Sequence, residues 1–227
     1  MPKFAYRALD LGTIVLYKIR MARVAQKSAS SIRPRGRPRE FDIDEALDKA
    51  VRVFRERGYH GTSIGDLTEA MEIATGSIYK AFSDKRDVFL AAFDRYASGR
   101  NEQVRRAAET ANDGRERLRA VLIFYVQASQ GAEGRRGCLV VGSAVELAAA
   151  DPVIAERVAA SLKRNEEFLA GLIRQGQSDG SIASHIDADD TARVMICLTQ
   201  GMRVVGKTGR LRLEAATLVD IAMKLIG

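Results

Sequence analysis

The eight residues TGSIYKAF, Thr75 to Phe82, carry the clearest chemistry in the chain. Wound as a helix, they place Ile78 and Phe82 four apart on one face and leave Thr75, Ser77, Tyr79 and Lys80 on the other. Small, polar and basic side chains on an outward face suit phosphates and base edges in a major groove about 12 Å wide. A second feature lies upstream. SIRPRGRPREF, Ser31 to Phe41, holds four arginines, two prolines and a glycine, a segment that no packed core absorbs. Arg35, Arg37 and Arg39 there offer positive charge to a polyanion.

The remaining reactive inventory is sparse. Cys138 and Cys197 lie far apart, and His60 and His185 are isolated, so neither a disulfide framework nor a zinc site is expected, and a reducing cytoplasm fits. The carboxylates of Glu166–Glu167 and Asp189–Asp190 are adjacent in sequence and diverge on a helix. No GxSxG, HExxH, P-loop or strand-anchored GxGxxG is present. An enzyme, a metal or a cofactor therefore has no residues to build on. Cys138 follows Arg135 and Arg136 at an expected helix start, where positive charge and helix dipole favour the thiolate. It is a candidate redox- or electrophile-sensing thiol as well as an ordinary buried small residue.

Charge localises the likeness to a polyanion binder. The chain carries +7 overall, yet residues 1–39 hold ten basic residues and one acidic one. The rest is close to neutral. The apolar run LGTIVLY, Leu11 to Tyr17, is too short to span a bilayer and has no cleavage site after it, so no membrane association is expected. Met21 opens a second plausible start, and residues 1–20 are expected to be an over-extended gene start or a disordered extension.

The elements that position these residues read as all-α. Tryptophan is absent and aromatics make up 6% of the chain, a composition that favours helices over sheet. Ile43, Leu47, Ala50, Val51 and Phe54 form one stripe at helical spacing, capped by Asp42 or Asp44 and ended by Gly58. Short helices follow at Ser63–Met71 and Thr75–Phe82, and then a long one capped by Ser83 or Asp84. Further helices are expected over Leu118–Gln130, Cys138–Ala149, Pro152–Gln177, Asp187–Val205 and Leu211–Ile226, about nine in all. GAEGRRG, Gly131 to Gly137, is expected as a loop.

Three short helices with a tight turn between the second and third form a helix-turn-helix. The stretch FDIDEALDKAVRVFRERGYHGTSIGDLTEAMEIATGSIYKAFSDKRDVFLAAFDRY resembles the DNA-binding domain of TetR-type transcriptional repressors, with GYHGTSI and IATGSIYKAFSDK as its anchors. RRGCLVVGSAVELAAADPVIAERV is similar to one subset of that family's C-terminal domains. The resemblance implies roles for individual residues. Thr62 holds a phosphate beside the buttressing helix. Thr75, Gly76 and Ser77 open the recognition helix, with Gly76 allowing close backbone approach. Tyr79 reaches phosphate or a thymine methyl, Lys80 a phosphate or guanine, and Lys85 a phosphate. Two positions depart from the family pattern. Glu72 stands where a glycine is usual in the turn, and Gly65 stands where the buttressing helix normally has a better helix former; each costs about 1 kcal/mol.

The expected protein thus has a basic, disordered arm (1–39), a helix-turn-helix domain (40–86) and a helical ligand-binding and dimerisation domain (87–227). The resemblance implies a ligand-responsive homodimer that binds double-stranded operator DNA and a small-molecule effector, with the last two helices at the dimer interface. Phe124, Tyr125, Cys138, Phe168, Met195 and Met202 are candidate effector contacts. PRGRP, Pro34 to Pro38, resembles the core of an AT-hook, placing the arm's arginines in a minor groove. An architectural DNA binder driven by that arm is the competing expectation.

Overall fold

The computed structural model describes residues 42–211 and 215–227. The arm, with Arg35, Arg37 and Arg39, lies outside the described residues. So does the expected extension over residues 1–20.

Helix α1 spans Ile43–Arg57 and starts where Asp42 accepts hydrogen bonds from the N–H groups of Asp44 and Glu45, at 2.9 and 3.4 Å. Its inward stripe is Ala46, Leu47, Ala50, Val51 and Phe54. It ends at Gly58, whose φ of 76° suits a residue without a Cβ. Helix α2, Ile64–Met71, opens with a capping box in which Ser63 and Asp66 satisfy each other's backbone N–H. Helix α3, Thr75–Ala81, follows the turn at Glu72, which has φ 57° and ψ 37°. Glu72 is the one non-glycine residue at positive φ among those described. Its carboxylate lies 2.9 Å from Lys49 Nζ, tying the turn to α1.

Helix α4, Lys85–Glu109, is capped by Asp84 and is the spine of the molecule. It packs on α1 near its start and on the later helices α5, Gly114–Ala128, and α8, Pro152–Asp179, further along. Between these come α6, Gly131–Arg136, and α7, Leu139–Glu146. The chain closes with α9, Ala188–Lys207, α10, Ala215–Met223, and a 3-10 turn at Lys224–Ile226.

The nine expected helices are all present, with one addition and shifted ends. The addition is α6, in the stretch expected as a loop. Its two glycines and the one that ends it hid it from pattern reading, and Gly134 turns out to lie against the Ser129 carbonyl, where an added Cβ would stand 2.2 Å from the oxygen. Helix α5 begins at Gly114 rather than Leu118, because Asp113 caps it there. Helix α7 stops at Glu146, short of Ala149.

Two regions of packing result. In the head, α1 to α3 and the start of α4 enclose Phe54, Leu67, Ile78, Phe82, Val88 and Phe89, all buried. Phe54 and Tyr59 each meet Phe89 edge-on or nearly so, with centroids 5.0 and 5.1 Å apart. In the body, α4, α5, α8, α9 and α10 share one core around Leu118, Leu122, Leu169, Ile173 and Met195. Fully burying each such side chain contributes about 1.5–3 kcal/mol, so this interior fixes the base on which the head sits. Among the described residues no helix is long and apolar enough to cross a membrane.

Candidate functional site

Helix α3 presents the outward face that the spacing of TGSIYKAF predicts. Ile78 and Phe82 are 0% and 4% exposed and anchor the helix, whereas Tyr79 is 54% exposed. Thr75, Gly76 and Lys80 are exposed beside it, and Ser77 is half-buried. The side chains of Thr75, Tyr79 and Lys80 make no hydrogen bond or ion pair among the described residues. Nothing lies within 4 Å of a Cβ added at Gly76, so the protein itself does not need glycine there. An exposed large aromatic and a free lysine on a short, firmly anchored helix form a surface ready for an outside partner.

Two residues expected at phosphates are used differently. Thr62 is 2% exposed, and its hydroxyl donates to Gly58 O at 2.6 Å. Its one proton is spent on closing the α1–α2 turn. The Lys85 ammonium donates to Tyr59 O and Thr62 O, both at 3.0 Å, and stands 4.2 Å from the Tyr59 ring centre. Lys85 therefore locks the same turn, leaving one of its three N–H groups to face outward. Sequence reasoning could not see these three bonds, because their acceptors are backbone carbonyls brought close only by the turn.

A polar seam joins head to body. Glu146, at the end of α7, accepts from the N–H groups of Tyr59 and His60 at 3.0 and 2.7 Å. Arg86 pairs with Asp151 through two bonds of 2.7 and 2.9 Å, and that guanidinium holds the Asp151 carboxyl down at about 2. Arg55 of α1 reaches Gly137 O through Nε at 2.9 Å and Nη2 at 2.6 Å, and also Glu133 Oε1 at 2.6 Å. Lys207 Nζ donates to Arg55 O at 2.6 Å, and its pKa is lowered by burial and by the charge of Arg55.

The six residues expected around an effector separate into two groups. Tyr125 and Cys138 line a small chamber between α4, α5, α8 and α9, together with Tyr96, Arg100, Asn101 and Arg203. Phe124, Phe168, Met195 and Met202 line neither this chamber nor the larger cleft beside it. Met195 and Met202 are buried in the body core. Phe124 and Phe168 pack against that core with Arg100 and Arg105 over their rings, at 5.1 and 5.8 Å. Cys197, expected in the core or at an interface, is exposed on α9.

Arg203 was not singled out by its sequence context, yet it is 3% exposed and lines the chamber. A signal was available. Ala192, Ile196, Thr199, Arg203 and Gly206 recur at three- and four-residue steps along the buried side of α9, which puts an arginine on an otherwise uncharged inner face. Helix α9 is also apolar on its other side, where Val194, Cys197, Leu198, Val204 and Val205 are exposed.

Comparison with known proteins agrees with this architecture. Residues 46–92 match the family described as bacterial regulatory proteins, tetR family, and residues 114–212 match the tetracyclin repressor-like C-terminal domain. The chain is 36% identical over 149 residues to the uncharacterised HTH-type transcriptional regulator YezE of Bacillus subtilis, covering 64% of this chain and 77% of that one. It is 28% identical over 178 residues to the HTH-type transcriptional repressor ComR of Escherichia coli, covering 77% and 84%. Among solved structures, a cysteine-substituted form of the TetR-family regulator CifR, complexed with 26-bp operator DNA, superposes with a TM-score of 0.71 at 30% identity, covering 84% of this chain and 98% of that one. The chain belongs to the TetR family of DNA-binding transcriptional regulators.

Proposed function

We propose that the chain is a homodimeric repressor that reads a palindromic operator and is released by a small-molecule effector. The observation that carries this reading is the coexistence of two unpartnered surfaces. One is the outward face of α3, with Thr75, Gly76, Tyr79 and Lys80 exposed. The other is the apolar outer side of α9, continued by Ile221 of α10 and Leu225 of the 3-10 turn after it, 57% and 39% exposed. A helix that is apolar all round is normally buried all round. Pairing α9 and α10 with their copies in a second chain buries that side in a four-helix bundle. The two-fold then sets two α3 helices toward successive major grooves about 34–36 Å apart.

In this reading the head of residues 40–86 binds DNA and the body of residues 87–227 dimerises and holds the effector. Ser77 and Tyr79 contribute most to sequence choice, and Thr75, Lys80 and the free N–H of Lys85 add phosphate contacts. Thr62 acts through the turn it closes. The arginines of the arm, including Arg35, Arg37 and Arg39, add affinity without choosing a site. The repressor and operator-bound relatives named above support the direction of regulation. An effector needs different affinities for the DNA-bound and released states, and the polar seam between head and body gives it a route to act.

Sedimentation together with operator titration tests the reading. A dimer that prefers its own palindrome over random duplex by about 10³-fold or more supports it. Leu198→Glu with Val205→Glu should give monomers with weak DNA binding. Equal affinity for random and palindromic DNA would instead favour an architectural binder. Deleting residues 1–39 should flatten the salt dependence of binding and leave the palindrome preference in place.

A further inference from the structure

The chamber beside Tyr125 contains polar atoms that the fold leaves unsatisfied. Arg203 Nε and Nη1, Tyr125 Oη and Asn101 Oδ1 are buried and have no hydrogen-bond partner. Arg203 is 3% exposed, and Nη2, its one bonded nitrogen, donates to Gly137 O at 2.9 Å. It makes no ion pair among the described residues. Native interiors seldom leave buried donors unused, and a buried guanidinium normally has a carboxylate beside it.

The surrounding charges sharpen the point. Arg100 and Arg55 both lie on one carboxylate oxygen, Glu133 Oε1, at 3.3 and 2.6 Å. Arg136 Nη1 stands 3.7 Å from the other oxygen of the same carboxylate, so three guanidiniums already share Glu133 and none of them is Arg203. The Lys207 ammonium next to them has a lowered pKa through burial and the charge of Arg55. Burial pushes the Tyr125 phenol up, which keeps it a neutral O–H donor at physiological pH.

We propose that this chamber takes the carboxylate of a small monoanionic organic acid, held by Arg203 and Tyr125 with Arg100 beside them. This rests on the reading of the chain as an effector-released regulator and names the effector's class. The chamber measures about 20 Å³, space for about one water, so it takes one carboxylate oxygen at most, and the rest of the acid must lie toward the larger cleft. Cys138 and Arg203 also border the larger cleft of about 430 Å³ lined by Phe54, Leu139 and Val204. An apolar tail can extend there. Asn101 Oδ1 takes a bridging water or a hydroxyl on the acid.

The same arginines connect the chamber to the head. Gly137 O accepts from Arg203 and also from Arg55 of α1. Glu133 is shared between Arg100 and Arg55. A carboxylate that draws Arg203 and Arg100 toward itself loosens both acceptors from the chamber side and resets how Arg55 holds α1. A shift of α1 moves α2 and α3 with it, since the three share one core.

The test uses the full chain in calorimetry, thermal shift and operator release. The probes are straight-chain carboxylates from acetate to octanoate, their matched amides, and sulfate. At least one carboxylate should bind saturably, raise Tm by several degrees at about 100-fold excess over its Kd, and release operator. Its amide should bind at least about tenfold more weakly, because it carries no charge for Arg203. Arg203→Met should lose that response while Tm stays at or above that of the wild type, since it removes an uncompensated buried charge. Tyr125→Phe should keep the fold and weaken the acid by about tenfold. Cys138→Ser should keep the response.

Amides or sulfate that match the carboxylates would overturn the assignment, as would a response that survives both Arg203→Met and Tyr125→Phe, or one that disappears in Cys138→Ser. If no acid binds while operator selectivity is intact, the effector class is wrong and the regulator reading stands. A chain without operator selectivity sinks the regulator reading, whatever the acids do.

Discussion

The outer face of α3 and the seam between head and body are made of similar residues in opposite states. On α3, Tyr79 and Lys80 are exposed and have no partner within the described residues. Along the seam, Arg55, Glu146, Arg86 and Asp151 are committed to one another or to backbone groups across it. A hydrogen bond already made contributes to holding the molecule together, and one not yet made is available for recognition. The contrast separates the surface proposed to contact DNA from the joint proposed to carry a signal.

Variants at the two places should therefore fail in different assays. The largest expected effect belongs to the double variant Tyr79→Ala with Lys80→Ala. Operator affinity should fall by about 10- to 1000-fold, with Tm within about 1 °C of the wild type, because in the proposed reading these side chains contact DNA and the fold uses no hydrogen bond or ion pair of theirs. A large drop in Tm would show that α3 depends on them. Glu146→Ala should do the reverse. It leaves the N–H groups of Tyr59 and His60 without their acceptor, which costs about 1–3 kcal/mol of stability. Operator affinity, measured well below the new Tm, should change by less than about threefold.

A third prediction uses pH to isolate the seam. Asp151 has its pKa depressed to about 2 from 3.8, so its pair with Arg86 stabilises the fold fully above about pH 4. That contribution is lost as pH falls from about 4 toward 2. The Tm gap between wild type and Asp151→Asn should close over the same interval, and a gap independent of pH would refute the pairing. The smallest effects fall on two glycine positions in the head. Gly65→Ala meets only Ser63 Oγ at 3.5 Å and should add up to about 1 kcal/mol of stability. Gly76→Ala should be harmless to stability, since nothing lies within 4 Å of the added Cβ, and should still weaken operator binding if DNA backbone approaches there as proposed.

The head was legible because its signals are local. The stripe from Ile43 to Phe54, the Ser63 cap and the inward pair Ile78 and Phe82 each depend on spacings of three or four residues, and all stand as expected. The positive φ at Glu72 was foreseeable from the same register, because the turn between α2 and α3 needs a left-handed residue and the chain supplies no glycine. The body was less legible. Its helices were recognisable, yet Met195, Met202, Phe124 and Phe168 were candidates for a pocket with core packing the more common fate, and the rotation of each helix by a residue or two decides which. Helix α6 went unseen because its glycines read as loop, whereas Gly134 is needed for close approach to Ser129.

By itself the sequence determined an all-helical chain, a helix-turn-helix with its recognition face on TGSIYKAF, and a basic arm ahead of it. Helical period and capping chemistry act within a few residues, so they are written in the local order of side chains. Only the tertiary structure decided which polar groups were already spent. Thr62 and Lys85 turned inward to close a turn, and Glu133 and Gly137 became the acceptors that Arg55 reaches across about 80 residues of chain. It also left Arg203 buried with two donors unused. Hydrogen bonds are satisfied between groups brought together by packing, and no local pattern records which partner each donor will find.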